Sequence, residues 1–319
     1  MLKTLLHLVL LFCSIGTLFC RADEGFTPIS EVDESLASTI QAATVLIQSY
    51  HANDNLGKSC AGVWISNQGH LLTALHCLDV DDFIYERGDF HQNNQMQWIS
   101  LFKEARSPES LYLDNVDIHW KGEVYASPQV ILLGAGRLVE RPTWYPWPYN
   151  DLSSETVATM AEYSSQDYAI LKVDLKTPCL HNGSSHQTGQ RVFSFGYPSR
   201  MRDHSPREDE LFMAQGELLS GHEQSSFLQG LSAPLSGGQL KQLDQMFLPE
   251  GVLLTTLDSS CGMSGGPVIN DQGQLVGINQ LTRCHRSYRE GTTMILDTLA
   301  IQQQSQSVLG STEAFSCEN

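Results

Sequence analysis

Positive charge is scarce in this 319-residue chain. Lys and Arg number 19 against 36 Asp and Glu, and the formal net charge is −17. Nucleic acid is held through many Lys and Arg contacts to phosphate, so this balance argues against nucleic acid and against acidic membrane surfaces. Surplus negative charge instead favours solubility outside the cell. No C-x-x-C pair occurs, which removes the usual spacing of a structural zinc site. Internal repeats are absent. Long helical periodicity is nearly absent, the exception being "LDTLAIQQQSQSVL" near the C-terminus. Beyond residue 22 no segment is apolar and long enough to span a bilayer, which takes roughly 20 residues.

What is present begins with "MLKTLLHLVLLFCSIGTLFCRADEG". Lys3 is a short positive region, residues 5–19 are an apolar core, and small residues follow. This pattern predicts a secretory signal peptide over residues 1–22, cleaved after Ala22, with Gly16 an earlier alternative. The apolar core is too short for a membrane anchor, and Leu18-Phe19 does not suit a lipoprotein site at Cys20. Cleavage removes Lys3 and Arg21 and no acid, so the charge moves from −17 to −19. The mature chain, residues 23–319, is expected to be secreted or periplasmic, free of the membrane and monomeric. Of eight cysteines, Cys13 and Cys20 leave with the signal. Cys60, Cys77, Cys179, Cys261, Cys284 and Cys317 remain. An even set in an exported chain suggests three disulfides, and composition leaves all 15 pairings open.

Short apolar or alternating runs recur between turn signals: "ATVLIQSY", "CAGVWIS", "HLLTA", "YAILKVD", "RVFSFGYP", "GVLLTTLD", "GPVIN" and "QLVGINQL". Asn67-Gln68-Gly69 and Asp271-Gln272-Gly273 read as hairpin turns. Many short strands with spaced turns indicate an all-β sandwich or barrel. Residues 86–165 read as polar and loop-like, with "WYPWPYNDLSSE" an aromatic–proline segment expected to pack onto a barrel, a carbohydrate or peptide platform being the alternative.

Chemistry concentrates in three stretches. "DSSCGMSGGPVIN" sets Ser264 among Gly262, Gly265 and Gly266. "LLTALHCL" places His76 beside Cys77 at the end of a predicted strand, and "SSQDYAILKVD" opens another strand with Asp167. A serine hydroxyl is a weak nucleophile and needs a base within reach. An imidazole can take that proton and pass it to a leaving amine. A buried carboxylate fixes its tautomer and steadies the imidazolium. Backbone N–H groups of Gly262 and Ser264, on a sharply turning loop, can serve a developing oxyanion. The set needs no metal and no cofactor.

"TALHC", "DYAILKV" and "GMSGGPV" resemble, in order, the three catalytic blocks of the chymotrypsin-like (trypsin-like) serine peptidases. The resemblance covers roughly residues 43–305. It implies two six-stranded antiparallel β-barrels with the site in the cleft between them, plus a C-terminal helix. It implies His76 as general base, Asp167 as its orienter, Ser264 as nucleophile, and peptides or proteins as substrates. It also implies the pairings Cys60–Cys77, Cys261–Cys284 and Cys179–Cys317.

The sequence departs from the family in places. Met263 stands where digestive members carry the aspartate that binds a newly freed N-terminal amine. Together with the absence of an Ile-Val-Gly-Gly-like start, this points to the bacterial-type branch, such as the glutamyl endopeptidases. His76 and Asp167 lie 91 positions apart, about twice the family's usual span, and Asp117 in "NVDIHW" is a rival at more ordinary spacing. Asp258, six residues before Ser264, falls where trypsin-like members bind Arg or Lys. Gln280 and Thr282 fall along the same pocket wall. Thr282 in place of glycine narrows the entrance, and Asn279 replaces a histidine that helps acidic-specific members. A catalytically silent binding protein on the same fold is the alternative function. An esterase fits less well, since no G-x-S-x-G elbow frames Ser264.

Overall fold

The computed structural model describes residues 25–51, 54–78, 112–113, 115–134, 165–198, 207–219, 249–281 and 293–317. The signal segment, "WYPWPYNDLSSE", Thr282 and Cys284 lie outside them.

The described chain begins with a two-residue strand, β1 (Thr27–Pro28), and a helix, α1 (Glu34–Ala43). Asp33 caps that helix, its Oδ1 accepting the Ser35 and Leu36 N–H groups at 3.1 and 3.2 Å, the usual remedy for unpaired first-turn donors. Ala37, Ile40 and Ala43 form its buried face. Small alanines on that face weaken the periodic signal, and the expectation of helix at the C-terminal end alone is corrected here.

The first sheet is antiparallel, in the order β6-β5-β2-β3-β4-β8-β7. Its strands are β2 (Thr44–His51), β3 (Asp54–Trp64), β4 (His70–Ala74), β5 (Val116–Trp120), β6 (Glu123–Ala126), β7 (Gln129–Leu133) and β8 (Tyr168–Lys172). The second, in the order β1-β10-β9-β12-β13-β14-β11, adds β9 (Arg191–Gly196), β10 (Phe212–Glu217), β11 (Val252–Thr255), β12 (Pro267–Asn270), β13 (Leu275–Leu281) and β14 (Thr293–Asp297). Both expected hairpins form, at Gly69 (φ +80°) and Gly273 (φ +73°). The described fold is mostly β: two antiparallel sheets and a C-terminal helix, α2 (Thr298–Leu309), started by Asp297 and stopped by Gly310 in the left-handed region.

Each sheet carries seven strands where six were expected. A bridge from Leu218, just past β10, to Thr255 in β11 brings six strands of the second sheet round to their start, so β1 is the addition. In the first sheet a bridge from Tyr112 to Gln129 in β7 does the same, and β6 is the addition. The expected loop at 86–165 is likewise corrected, because its described part forms β5, β6 and β7. "VDIHW" alternates buried and half-buried residues along β5, a period-2 pattern hidden in polar surroundings.

The core has three parts, and strand alternation explains them. Along β2, Val45 and Ile47 point into a cluster inside the first sheet with Trp64, Leu71 and Ile118. Leu46 points the other way, into a cluster with Val63, Leu72, Ile170, Phe195, Ile278 and Leu296 that joins the two sheets. A third cluster fills the second sheet and includes Phe26, Val192, Ala214, Met263, Val268 and Ile295. Cys60 is bonded to Cys77 and Cys179 to Cys317. The second of these ties the segment after the first sheet to the end of the chain.

His70 opens β4 and is 6% exposed, its Nδ1 2.7 Å from Ser66 Oγ. Burial, then the Lys172 charge, lowers its pKa to about 4, and Glu313 partly opposes them. The unfolded chain, with an ordinary imidazole near 6.5, therefore binds a proton at a higher pH than the folded one. Stability contributed by neutral His70 is complete above about pH 6.5 and lost as pH falls toward 4. The loss should reach the order of 3 kcal/mol. Urea unfolding of wild type and His70→Gln at pH 7 and pH 4.5 checks this. The drop on acidification should be clearly smaller in the variant, and equal drops would refute it.

Candidate active site

The register of β4 against β8 brings His76 and Asp167 together. Ala74 pairs with Tyr168, so the chain leaving β4 meets the residue preceding β8. Leu75–Cys77 is a single 3-10 turn, and the Leu75 N–H donates to the Asp167 carbonyl at 3.1 Å. The Asp167 carboxylate then takes two bonds from one residue. Oδ1 accepts the His76 backbone N–H at 2.9 Å, and Oδ2 lies 2.7 Å from His76 Nδ1. Asp167 is 2% exposed and the His76 side chain 23%. A buried carboxylate is costly unless its oxygens are bonded, and here both are. With Nδ1 facing Asp167, Nε2 is the ring nitrogen left for a substrate-side partner.

Ser264 sits at the corner of two consecutive turns. The Met263 N–H donates to the Ser260 carbonyl, and the Gly266 N–H to the Met263 carbonyl, both at 3.0 Å. Gly262 (φ +93°) and Gly265 (φ +76°) are the third residues of these turns. A type II turn demands a positive φ at that position, which only glycine adopts freely. Among the described residues, neither the Gly262 nor the Ser264 N–H is used by a backbone carbonyl. The Ser264 hydroxyl likewise holds no hydrogen bond among them.

The turns are pressed onto both sheets. The Ser264 carbonyl accepts the Ala61 N–H from β3 at 2.8 Å. A Cβ at Gly265 would collide with Thr73 Oγ1 and the Ala61 carbonyl, and would lie 2.8 Å from the Ala74 nitrogen. Ala74 is two residues before His76, and Cys60, next to Ala61, is bonded to Cys77. On the other side the Gly265 N–H donates to the Asn279 carbonyl at 2.7 Å, and the Asn279 N–H to the Gly266 carbonyl at 3.0 Å. Thr73 was not read as a site residue from the sequence, and Asn279 was read only as a position of the specificity pocket. Nothing in their local patterns separates them from ordinary strand residues.

The remaining expected residues are dispersed. Asp117 lies on β5 opposite Gln48 and interacts with Tyr50; the carboxylate bonded to His76 is that of Asp167. Asp258 is half-buried, with Oδ1 accepting the Ser259 N–H at 3.1 Å. Gln280 is buried on β13. Cys261 is disulfide-bonded, with Cys284, its expected partner, outside the described residues. Met263 is fully buried in the apolar cluster of the second sheet. Cys60, His76 and Cys77 offer ligand atoms within 4.8 Å of one another. Two of them are joined in a disulfide, which removes both thiolates as metal ligands.

Two sheets, a His–Asp pair and a doubly turned serine are the features of this candidate site. The trypsin-like peptidase domain family matches residues 121–278, a span that holds Asp167 and Ser264. The chain carries a trypsin-like peptidase domain, and by that family it is a serine-type endopeptidase acting on peptides or proteins. No curated protein matches it. Among solved structures it is similar to the active form of the Rv3671c protease of M. tuberculosis, at 16% identity and a TM-score of 0.46 over 88% of each chain. It is also similar to the serine endoprotease of Yersinia pestis, at 16% identity and a TM-score of 0.46 over 88% of this chain and 69% of that one.

Close packing at Gly265 gives a direct test. Gly265 and Gly273 both have φ above +70°, but Gly273 has nothing within 4 Å of a Cβ. Gly273→Ala should cost only about 1 kcal/mol, the cost of the backbone conformation. Gly265→Ala should cost about 2–4 kcal/mol and abolish hydrolysis. Equal melting temperatures for the two variants would show that the loop is not held against β3 and β4.

Proposed function

We propose that this protein is a secreted or periplasmic, monomeric serine endopeptidase of the bacterial-type branch, working through His76, Asp167 and Ser264. The observation that carries the reading is the doubly bonded, buried Asp167 carboxylate on His76, with the Ser264 turn docked beside the same strand end. His76 Nε2 takes the proton as Ser264 Oγ attacks the scissile carbonyl. The N–H groups of Gly262 and Ser264 receive the oxyanion. His76 then protonates the leaving amine, and a water molecule, activated by the same imidazole, releases the acyl group. The chemistry uses no metal or cofactor. No described helix is long and apolar enough to cross a membrane, and disulfides persist where the surroundings are oxidising. The two disulfides support the location.

Asp258 supports a preference for Arg or Lys before the scissile bond. Its Oδ1 is already bonded to the Ser259 N–H, which keeps the carboxylate in place for a charge-assisted contact.

Fluorogenic peptides differing only in the residue before the cleaved bond test both levels. Ser264→Ala and His76→Ala should each lower kcat by about 10⁴- to 10⁶-fold while circular dichroism and melting temperature hold. A fluorophosphonate should label Ser264. No cleavage and no labelling in wild type would favour the silent binding protein instead. Asp258→Ser should erase an Arg advantage over Val, and an untouched advantage would remove Asp258 from the specificity pocket.

A further inference from the structure

We propose that Phe26, near the start of the described chain, is a positioning residue for the oxyanion donors, acting through Met263. The inference rests on the peptidase reading above and adds a part that no motif supplied. Met263 lies between Gly262 and Ser264, whose N–H groups are the proposed donors. Its side chain is fully buried and is the only one of the three that can anchor that stretch in an apolar interior. It packs across Gly196 at the end of β9, where a Cβ would lie 2.7 Å from the Met263 Cα.

Phe26 belongs to the same apolar cluster and is 7% exposed. Strand register accounts for this. β1 pairs with β10 through Thr27↔Met213 and Pro28↔Phe212, and β10 pairs with β9 through Phe212↔Gly196 and Ala214↔Ser194. Continuing the first register sets Phe26 beside Ala214, and Phe212, Ala214 and Val192 lie on or against the cluster that takes Met263. The alternate residues Phe193, Phe195 and Met213 pack with the cluster on the other face.

Gly25 provides a second, independent contact. A Cβ there would collide with the Asp258 carboxylate. The N-terminal segment therefore touches the nucleophile loop at its start and shares a cluster with the residue beside its serine. One short segment thus meets the loop at two places, at Asp258 and in the cluster that takes Met263. An aromatic ring fills a large volume, and truncating it leaves a cavity into which neighbours relax only partly. A Met263 shift moves both flanking N–H groups, and a displacement near 1 Å at such a site costs about 100-fold in rate.

The test compares Phe26→Ala, Phe26→Leu and Ile29→Ala in the full mature chain, each assayed well below its melting temperature. Ile29 is a sound control. It is 3% exposed on the same segment, and its N–H is bonded to the Leu211 carbonyl at 2.9 Å, but its side chain sits in the cluster between the sheets. Phe26→Ala should lower kcat about 10- to 100-fold, short of the 10²–10³ for losing a donor outright, with KM within roughly threefold. Phe26→Leu should restore most of it. Phe26→Ala and Met263→Ala combined should cost less than the product of the single effects, the sign of a shared pathway. Ile29→Ala should lose stability while keeping kcat within roughly threefold. Wild-type kcat in Phe26→Ala, or an equal kcat loss in Ile29→Ala, would overturn the proposal while leaving the peptidase reading intact. A wild-type protein without activity would sink the peptidase reading, and this one with it.

Discussion

The site depends on how closely the backbone of residues 264–266 approaches the first sheet. Ser264 offers its carbonyl to Ala61, and Gly265 lies where any side chain would strike Thr73 or Ala61. That approach has one consequence for sequence and one for chemistry. Only glycine can occupy position 265, both for the space and for the positive φ. And the serine corner is delivered to the end of β4, where the chain turns to present His76. Thr73 reinforces the seam, its Oγ1 donating to the Ala61 carbonyl at 2.8 Å. That carbonyl and the Ala61 N–H are thus both engaged, one from β4 and one from the nucleophile loop.

The same seam explains why the 91-residue gap between His76 and Asp167 is harmless. Sheet pairing is set by register, not by the length of chain between strands. Once β8 pairs with β4, Asp167 has nowhere to be except beside the His76 turn. A long intervening segment adds loop-closure entropy that grows only with the logarithm of its length. A long insertion between these two residues therefore leaves the pair intact.

Much of this was legible in the sequence, for identifiable reasons. "YAILKV" and "HLLTA" read as strands because they are buried on both faces. Ala169 and Leu171 point into the first sheet's own cluster and Ile170 into the seam between sheets. Turn glycines marked both hairpins and the serine corner. Three motifs in order, with their resemblance to a known family's catalytic blocks, brought His76, Asp167 and Ser264 into one hypothesis. What escaped was of two kinds. β5, β6 and β7 were hidden because half-buried strands in a polar segment alternate weakly, and α1 because its buried face relies on alanine. Thr73, Phe26 and the contact of Asn279 with the nucleophile loop were hidden for a different reason. Each matters through a partner far away in the chain, and no local pattern encodes a contact across a sheet.

Met263 shows how one constraint can be met by different physics. A loop that must hold two N–H groups in place needs an anchor in the interior. A buried ion pair can serve, but desolvating both charges offsets most of the attraction between them, and one partner must be an amine freed by cleavage. Apolar packing carries neither condition. Burying a methionine and a phenylalanine contributes about 1.5–3 kcal/mol each, is insensitive to pH, and is available as soon as the chain folds. A loop anchored this way has no charge to withhold and so no switch at that point. Any restraint on the enzyme's activity would then have to act on access to the site or on Asp258, whose carboxylate already lies against the N-terminal segment at Gly25.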